Sequence, residues 1–431
     1  MAIKTKRFIN SRKSCSCSMP GVWRAVAYTD GVVVIFHSPR ACAHIARTMD
    51  INTHYRTMGE GRSEARASSV PLLSSQLEEK HSIFGGVERL KQCIEFAVNE
   101  YAPQCLVIGN SCVAGVIGDD VEAVAKEVEE EYHIPILTVD SYGFLDGEYY
   151  EGYFEIAHKL IDRFLYPQKT IPKTVVLLGD NGGPWGHYAM EVTRLLNKMG
   201  IEVIGQFPGY MTFEDLPNIT NAEGMVVLGG RGQTHNGFDK LTKVLQERFG
   251  LKYFPDVYPV GWQQTEKWLL ETGKIFNCEA EACKVLVEEK LALERSLEKF
   301  LPVTKDKKAV ICIGRWLMYF HPDAVLGTIK NLQLDLIGII LLDAYEEAYR
   351  KEMEDALRMH TTVPIYSNLN GEDLLKNAEV VLTTHELKDK TIKQIFLPML
   401  PKVGTQGEIE FMQVIYRTLC SRHSGGGMIY V

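Results

Sequence analysis

The sequence predicts an α/β protein composed of three doubly wound, Rossmann-like domains, each built on a parallel sheet. Two observations support this prediction. Short apolar, β-branched runs alternate with amphipathic helical segments along almost the whole chain, and this alternation requires parallel sheets that helices cover on both faces. The length of 431 residues, at roughly 150 residues per domain, suggests about three domains.

The predicted strands follow one another along the chain as compact apolar runs, which are typical of strands buried on both faces. They occupy 32–36, 105–109, 134–139, 174–178, 202–205, 225–228, 309–313, 336–342 and 379–382. Helical segments lie between them, and in 87–98, for example, apolar residues recur mostly three or four positions apart. Each strand is therefore expected to reach its neighbour through a helical crossover.

Two linkers divide these strands into three groups. The first linker, 167–173, contains Pro167 and Pro172, and the second, 305–308, is a run of charged residues after a long charged helix predicted at 279–299. Prolines and polar runs are typical of domain boundaries. We therefore expect domains at 1–166, 167–300 and 301–431, the last of which ends with a helix and a glycine-containing tail.

The composition is that of a packed protein without an attraction to polyanions. Hydrophobic residues make up 45% of the chain, and 47 basic against 55 acidic residues give a net charge of −8. Such a chain has no bulk electrostatic reason to bind nucleic acid or an anionic membrane. The longest strongly apolar run, 336–342, is far shorter than the ~18 residues of a membrane-spanning helix. Because no apolar segment follows the basic N-terminus either, we expect a soluble cytoplasmic protein.

Three cysteines lie where parallel sheets carry functional groups. Cys42 and Cys112 each follow a predicted strand and precede a helix, and loops at the carboxyl ends of parallel strands meet at one edge of a sheet. Thiols at helix N-termini ionise easily, and the thiolate is the form that binds iron or zinc. Cys17 joins them from an N-terminal loop, because Pro20 and Gly21 turn the chain after it. We treat Cys15 as a bystander.

The remaining cysteines have ordinary explanations, since a single cysteine is more often a small buried hydrophobe than a ligand. Cys93 lies on the apolar stripe of a helix and Cys105 opens a core strand, so we expect both to contribute to packing. The other four lack a strand-end loop and are assigned no role: Cys278, Cys283, Cys312 and Cys420.

The motifs around these cysteines resemble those of the nitrogenase component 1 superfamily. The chain contains Cys17-x-x-Pro-Gly, then His37-Ser-Pro-x-x-Cys42, and then Cys112-x-x-x-Val-Ile-Gly-Asp-Asp. The segment 83–86, Ile-Phe-Gly-Gly, is similar to a phenylalanine–glycine–glycine element of that family. Four elements thus agree with the family in order and spacing.

The resemblance implies that Cys17, Cys42 and Cys112 bind an iron–sulfur cluster at a subunit interface, either [4Fe–4S] or a larger cluster. A cubane requires four ligands, so three cysteines imply either a homo-oligomer or a sister component 1 subunit. The resemblance further implies an ATP-hydrolysing iron protein as electron donor and low-potential reduction of a small or tetrapyrrole substrate. No Walker A sequence occurs in the chain, so ATP hydrolysis would come from that partner.

A substrate pocket is expected where glycine-rich loops follow predicted strands, at 180–187, 229–235 and 314–316. His187, Arg231 and His235 are the candidate catalytic residues, because histidines can transfer protons near neutral pH and arginines can hold anions. In the family, a cysteine of the second domain and a histidine near the C-terminus hold the molybdenum–iron cofactor. The loop 229–235 has no cysteine, so we do not predict nitrogen fixation, and a second metal cofactor stays open.

Two alternatives remain open. Within the family, the chain could be a non-catalytic scaffold that assembles a metal cofactor for another enzyme. Outside it, the chain could be a plain α/β binding protein whose thiols are structural or bind zinc. Zinc is colourless and redox-silent, whereas an iron–sulfur cluster is brown and bleaches on reduction or oxidation.

Overall fold

The protein is described from a computed structural model. The structure describes residues 8–9, 17–59, 69–141, 149–180, 182–229, 233–253, 257–314, 321–342, 344–345, 347–368, 370–389, 391–397, 401–421 and 428–430. All strand pairs within these ranges are parallel. The predicted fold class, α/β with parallel sheets, is confirmed.

The first third of the chain forms a sheet whose described strands are arranged in the order β4-β3-β5-β6. Its elements are β1 (Phe8–Ile9), α1 (Met19–Val26), β2 (Thr29–Asp30), β3 (Val32–His37), α2 (Arg40–Gly59), β4 (Leu72–Ser74), α3 (His81–Phe84), α4 (Val87–Tyr101), β5 (Cys105–Asn110), α5 (Cys112–Ile117), α6 (Val121–Tyr132), β6 (Ile136–Asp140) and α7 (Tyr149–Phe164). Alternate residues of β3 and β5, such as Val33, Ile35 and Leu106, join one apolar core with residues of α4 and α6. This core holds the strand ends that carry the cysteines.

The middle of the chain forms a second sheet, whose described strands are arranged in the order β11-β10-β7-β8. Its elements are β7 (Ile171–Leu178), α8 (His187–Lys198), β8 (Glu202–Phe207), β9 (Met211–Thr212), a 3-10 helix (Leu216–Asn221), β10 (Ala222–Val227), α9 (Gln233–Phe249) and β11 (Lys252–Tyr253). Helices α10 (Trp262–Ile275) and α11 (Glu279–Thr304) follow. The charged helix predicted at 279–299 corresponds to α11.

The last third forms a third sheet, with described strands in the order β15-β13-β12-β16-β17-β18. Its elements are β12 (Lys308–Ile313), α12 (Pro322–Asn331), β13 (Asp335–Leu341), β14 (Ala344–Tyr345), α13 (Glu347–Arg358), β15 (Ile365–Ser367), α14 (Glu372–Asn377), β16 (Val380–Thr383), β17 (Gln394–Phe396), α15 (Gly404–Cys420) and β18 (Met428–Tyr430). Along β12, Ile311 belongs to one apolar core, whereas Val310 and Cys312 belong to another on the opposite face. This alternation is the period of two that a strand covered on both faces requires.

The chain divides into two compact units. One consists of 13–190 and 201–253, and it contains the first two sheets; the other consists of 1–12, 191–200 and 254–431, and it contains the third. The division into three domains with borders after 166 and 300 stays a prediction. Within the described residues, every helix is too short or too polar to span a bilayer.

Candidate metal centre

Cys42 and Cys112 lie on either side of a topological switch point in the first sheet. Strands β3 and β5 are neighbours, and His37 pairs with Asn110 at their carboxyl ends. From β3 the chain crosses to β4 on one side, whereas from β5 it crosses to β6 on the other. In open parallel sheets, the crevice between two such strand ends is where ligands bind. Cys112 lies two residues after the end of β5, and Cys42 lies five residues after the end of β3, in the first turn of α2.

Local hydrogen bonds hold both cysteines at the starts of their helices. Cys112 is the first residue of α5, and Ser111 caps this helix by accepting a hydrogen bond from the Ala114 amide at 3.3 Å. The Ser111 hydroxyl also donates to the His37 carbonyl at 2.8 Å, which ties α5 to the end of β3. The Cys42 amide donates to the Pro39 carbonyl at 3.1 Å in the first turn of α2. Both thiols are therefore carried by well-ordered turns.

The two thiols also affect each other electrostatically. Both are half-buried; burial raises the pKa of the Cys42 thiol, and the neighbouring Cys112 raises it further against a hydrogen bond with Ser38. The raised pKa of Cys42 differs from the low pKa expected of a thiol at a helix N-terminus, because burial outweighs the helix dipole at this position. Two neighbouring thiolates need a cation to coexist, and a metal centre supplies one.

Cys17 lies at the same edge of the sheet, two residues before α1. Ser18 begins the helix by accepting hydrogen bonds from two amides, and its hydroxyl is hydrogen-bonded to the Ser141 hydroxyl. Ser141 directly follows β6, and its amide donates to the Asn110 carbonyl at the end of β5 at 2.8 Å. Polar contacts thus connect the start of α1 to the strand end that precedes Cys112.

The structure brings the three cysteines to one edge but does not test their role as ligands. Among the residues it describes, no three or more His, Cys, Asp or Glu side chains are grouped so as to hold a metal ion. The assignment of Cys17, Cys42 and Cys112 to a cluster therefore stays a prediction.

A buried histidine–aspartate pair supports the cysteine loops, and sequence reasoning did not single it out. The His37 ring contacts Asp119 Oδ2 through Nε2 and Ser75 Oγ through Nδ1, each at 2.9 Å. Burial lowers the pKa of His37 although Asp119 opposes this effect. The neutral ring therefore donates to Asp119 and accepts from Ser75, whose oxygen accepts from the Ser38 amide at 3.2 Å. The sequence feature that could have pointed to this pair is the position of His37, five residues before Cys42.

Asp119 also explains the glycine pair that precedes α4. Its carboxylate accepts from the Gly86 amide at 2.9 and 3.0 Å, and Gly85 has a φ of 80°. A Cβ on Gly86 would lie 2.7 Å from Asp119 Oδ2 and 3.1 Å from His37 Cε1. The close approach excludes a side chain at position 86, and the positive φ favours glycine at 85.

An apolar surface is exposed beside Cys112. It consists of Ile83 and Phe84 on α3 with Val113 and Val116 on α5, and these two short helices pack side by side. Phe84 is 85% exposed, and Ile83 and Val116 are each 78% exposed. Single exposed apolar side chains are ordinary, but a group on adjacent helices is typical of an interaction surface.

A buried ion pair connects α1 with the loop after β7. Arg24 Nε and Nη2 donate to the two Asp180 carboxylate oxygens at 2.6 and 2.9 Å, and Nη2 also donates to Tyr210 Oη at 2.8 Å. Burial by itself would lower the pKa of Arg24, but Asp180 and Tyr210 hold it well above its ordinary value. The Tyr28 ring stacks on Tyr210 with centroids 5.1 Å apart. Sequence reasoning missed this network, because its members are far apart along the chain.

The three candidate catalytic residues are not brought together by the described structure. His187 is the first residue of α8 and is half-buried. Arg231 lies outside the described residues, and His235 lies in the first turn of α9, where its side chain is not described. Their catalytic role stays a prediction.

The cysteines expected to contribute to packing lie in apolar surroundings. Burial raises the pKa of Cys93 to about 11 and that of Cys105 to about 12. Cys105 is fully buried, and Cys93 packs against the core formed with α4 and α6. Packing in the core of the first sheet therefore accounts for both thiols.

Comparison with known proteins identifies relatives over nearly the whole chain. The family model described as nitrogenase component 1 type oxidoreductase matches residues 17–420. The chain is 30% identical over 314 residues to the nitrogenase iron-molybdenum cofactor biosynthesis protein NifE of Clostridium pasteurianum, covering 71% of this chain and 63% of that relative. It is 24% identical over 410 residues to the nitrogenase molybdenum-iron protein alpha chain of Acidithiobacillus ferridurans, covering 89% of this chain and 79% of that relative.

A solved structure shares the fold. The structure titled nitrogenase Cp1 at pH 5 superposes with a TM-score of 0.66 at 17% sequence identity, covering 98% of this chain and 91% of that one. At this identity the likeness concerns the fold. The described chain thus matches the architecture of that protein along nearly its full length.

Proposed function

The chain belongs to the nitrogenase component 1 type oxidoreductases, and from this premise we propose that it is an iron–sulfur subunit that accepts electrons from an ATP-hydrolysing iron protein. Its substrate is a small molecule or a tetrapyrrole that is reduced at low potential. The observation that carries this proposal is the placement of Cys17, Cys42 and Cys112 at one edge of the first sheet.

The chemistry of these residues suits an iron–sulfur cluster. Thiolates are the ligands of such clusters, and Cys42 and Cys112 lie in the first turns of the helices that follow neighbouring strands. The neighbouring Cys112 raises the pKa of the Cys42 thiol, so ionising both thiols is costly. A bound cation removes that cost. A cluster held there supplies one-electron transfer at low potential. A fourth or further ligand comes from a second subunit, either another copy or a sister component 1 chain.

The residues around the cysteines have supporting roles. The neutral His37 and its partner Asp119 hold the loop after β3 against the turn before α4. The exposed apolar surface of Ile83, Phe84, Val113 and Val116 lies beside Cys112 and serves as the docking surface of the iron protein. This arrangement keeps the electron donor near the cluster.

The ligand assignment is tested by iron content in cysteine variants. Cys42→Ala and Cys112→Ala should abolish the cluster while leaving the far-ultraviolet circular dichroism spectrum unchanged, because both residues lie at helix starts rather than in the core. Cys93→Ala is the matched control and should keep its iron, since this thiol packs against the core of the same sheet. Full iron content in either ligand variant would contradict the assignment.

A second candidate function is favoured by one comparison. The relative from Clostridium pasteurianum is a cofactor biosynthesis protein, so a scaffold that assembles a metal cofactor for another enzyme is the alternative within the family. A turnover assay distinguishes the two functions. With iron protein, MgATP and dithionite, a reductase consumes substrate and keeps its metal, whereas a scaffold transfers metal to a recipient without repeated turnover.

A further inference from the structure

A cationic cavity opens at the carboxyl end of β4, outside the cysteine site. Its volume is about 530 Å³, and it lies between the N-terminal halves of α2 and α4. Arg40, His44 and Arg47 line it from α2, and Arg89 lines it from α4. No carboxylate is among the described residues that line the cavity.

Among the residues that the structure describes, the arginines of this cavity have no carboxylate partner. Arg40, Arg47 and Arg89 form no ion pair with any carboxylate that the structure describes, and Arg89 donates to the Gln92 side-chain oxygen at 3.0 Å. In a chain of net charge −8, carboxylates for pairing are abundant. Arg40 and Arg47 are exposed and Arg89 is half-buried, so all three guanidinium groups are accessible to an anion that enters the cavity.

The placement of these residues on their helices also points to an anion. Arg40 is the first residue of α2, whose first turn contains no acidic residue, and Arg89 is the third residue of α4. Basic residues at helix N-termini oppose the helix dipole, which favours negative charge there. Arg40, His44 and Arg47 follow at intervals of four and three, so they lie on one face of α2. At the start of α2 the helix dipole and the basic side chains thus attract the same charge, whereas the first turn of α4 carries Glu88 beside Arg89.

The remaining walls indicate the size and type of the anion. Gln76 adds an exposed polar side chain at the end of β4, whereas Leu72, Leu73 and Phe96 form an apolar wall. The hydroxyls of Ser74 and Ser75, which also line the cavity, are hydrogen-bonded within the protein. Phe96 is 50% exposed, so a flat organic group can pack on its ring. Guanidinium groups match phosphate oxygens with paired hydrogen bonds, and three permanent positive charges balance the roughly three negative charges of a diphosphate.

We propose that this cavity binds a small organic diphosphate, whose phosphates contact Arg40, Arg47 and Arg89 and whose organic part packs on Phe96. This site goes beyond the proposed function and needs neither the cluster nor the iron protein. It lies along α2, the helix that carries Cys42, without including that residue. Its ligand is therefore expected to bind protein whether or not the cluster is loaded.

The test is isothermal titration calorimetry of the full chain with inorganic pyrophosphate, ADP and citrate. Pyrophosphate should bind saturably and more tightly than citrate, with an affinity that falls as ionic strength rises. Arg47→Gln should weaken pyrophosphate binding about tenfold, and Arg40→Gln/Arg47→Gln should abolish it, because each removes a charge-assisted hydrogen bond. Arg295→Gln, at an exposed arginine of α11, is the matched control and should leave the affinity unchanged.

Titration with ADP tests whether the organic part of the proposed ligand contributes to binding. ADP should bind more tightly than pyrophosphate in the parent chain, and Phe96→Ser should remove this difference while leaving pyrophosphate binding intact. Three outcomes would overturn the proposed anion site: no binding of pyrophosphate, equal affinities for citrate and pyrophosphate, or unchanged binding in Arg40→Gln/Arg47→Gln. Equal affinities of ADP and pyrophosphate in the parent chain would overturn the organic part. Iron content should stay unchanged in all variants, which separates this test from that of the cysteines.

Discussion

Replacing Arg24 by glutamine removes the charge that holds the loop after β7 against α1. The substitution keeps a polar side chain, but a shorter and uncharged one that loses the hydrogen bonds to Asp180 and Tyr210. Asp180 and Tyr210 then share a partly buried site without a cation. Because α1 begins two residues after Cys17, this perturbation acts on the helix that carries one predicted ligand.

The magnitude follows from the burial of the two partners. The Arg24 side chain is 8% exposed and that of Asp180 is 24% exposed. Removing one partner of a buried pair costs about 3–5 kcal/mol, since it leaves an uncompensated charge. Asp180 keeps some solvent and the hydroxyl of Tyr210 as a donor, so we expect the lower end, about 3 kcal/mol. Arg24→Gln/Asp180→Asn should recover part of this loss, because no buried charge is left without a partner.

Urea-induced unfolding, followed by circular dichroism near neutral pH, measures this free energy. Lys376→Gln is the matched control, since it breaks an ion pair with Asp373 whose side chains are both largely exposed, and it should leave the midpoint unchanged. The Arg24→Gln loss should persist at high salt, because buried charges are poorly screened. A loss no larger than that of Lys376→Gln, or no recovery in the double variant, would refute the reasoning.

Three further predictions concern one residue each. Burial raises the pKa of Glu408 to about 7, so its contribution to stability is present below its ordinary pKa of 4.5 and is lost as pH rises through about 7. Glu408→Gln should therefore raise the unfolding free energy above pH 7 by up to roughly 3 kcal/mol and change it little near pH 4.5. Equal effects at both pH values would contradict this prediction. Asp119→Asn replaces a carboxylate that accepts from both the His37 ring and the Gly86 amide with an amide that has one acceptor oxygen, and it should cost about 1–3 kcal/mol in urea unfolding. Unchanged stability would contradict the supporting role of this carboxylate. Phe84→Ser should slow electron uptake from the iron protein without lowering the melting temperature. Met359→Ser, at another exposed apolar residue, should change neither the rate nor the melting temperature, and equal rates in both variants would contradict the proposed docking surface.

The strands that the sequence predicted well are those buried on both faces. The runs at 32–36, 105–109 and 309–313 correspond to Val32–His37, Cys105–Asn110 and Lys308–Ile313. Continuous apolar runs carry their own signal, because only a covered strand tolerates them. The two-residue strands β1, β2, β9, β11 and β14 were missed, since their pairing depends on other chain segments rather than on a local pattern.

The placement of the cysteines was predictable to a similar degree. Strand-to-helix order was sufficient to expect Cys42 and Cys112 at one edge of the sheet, which the structure confirms. The contact between Ser18 and Ser141 spans 123 positions and that between Arg24 and Asp180 spans 156, and no local pattern encodes such pairs. The raised pKa of Cys42 was also unpredictable, because burial depends on tertiary packing.

The central claim is that this chain holds an iron–sulfur cluster on its strand-end cysteines. The most direct measurement is iron and acid-labile sulfide per chain in anaerobically purified protein, with electron paramagnetic resonance after dithionite reduction. The account predicts about two to four irons per chain, matching sulfide, and a cluster signal. Zinc in place of iron, or no metal after attempted reconstitution, would contradict it.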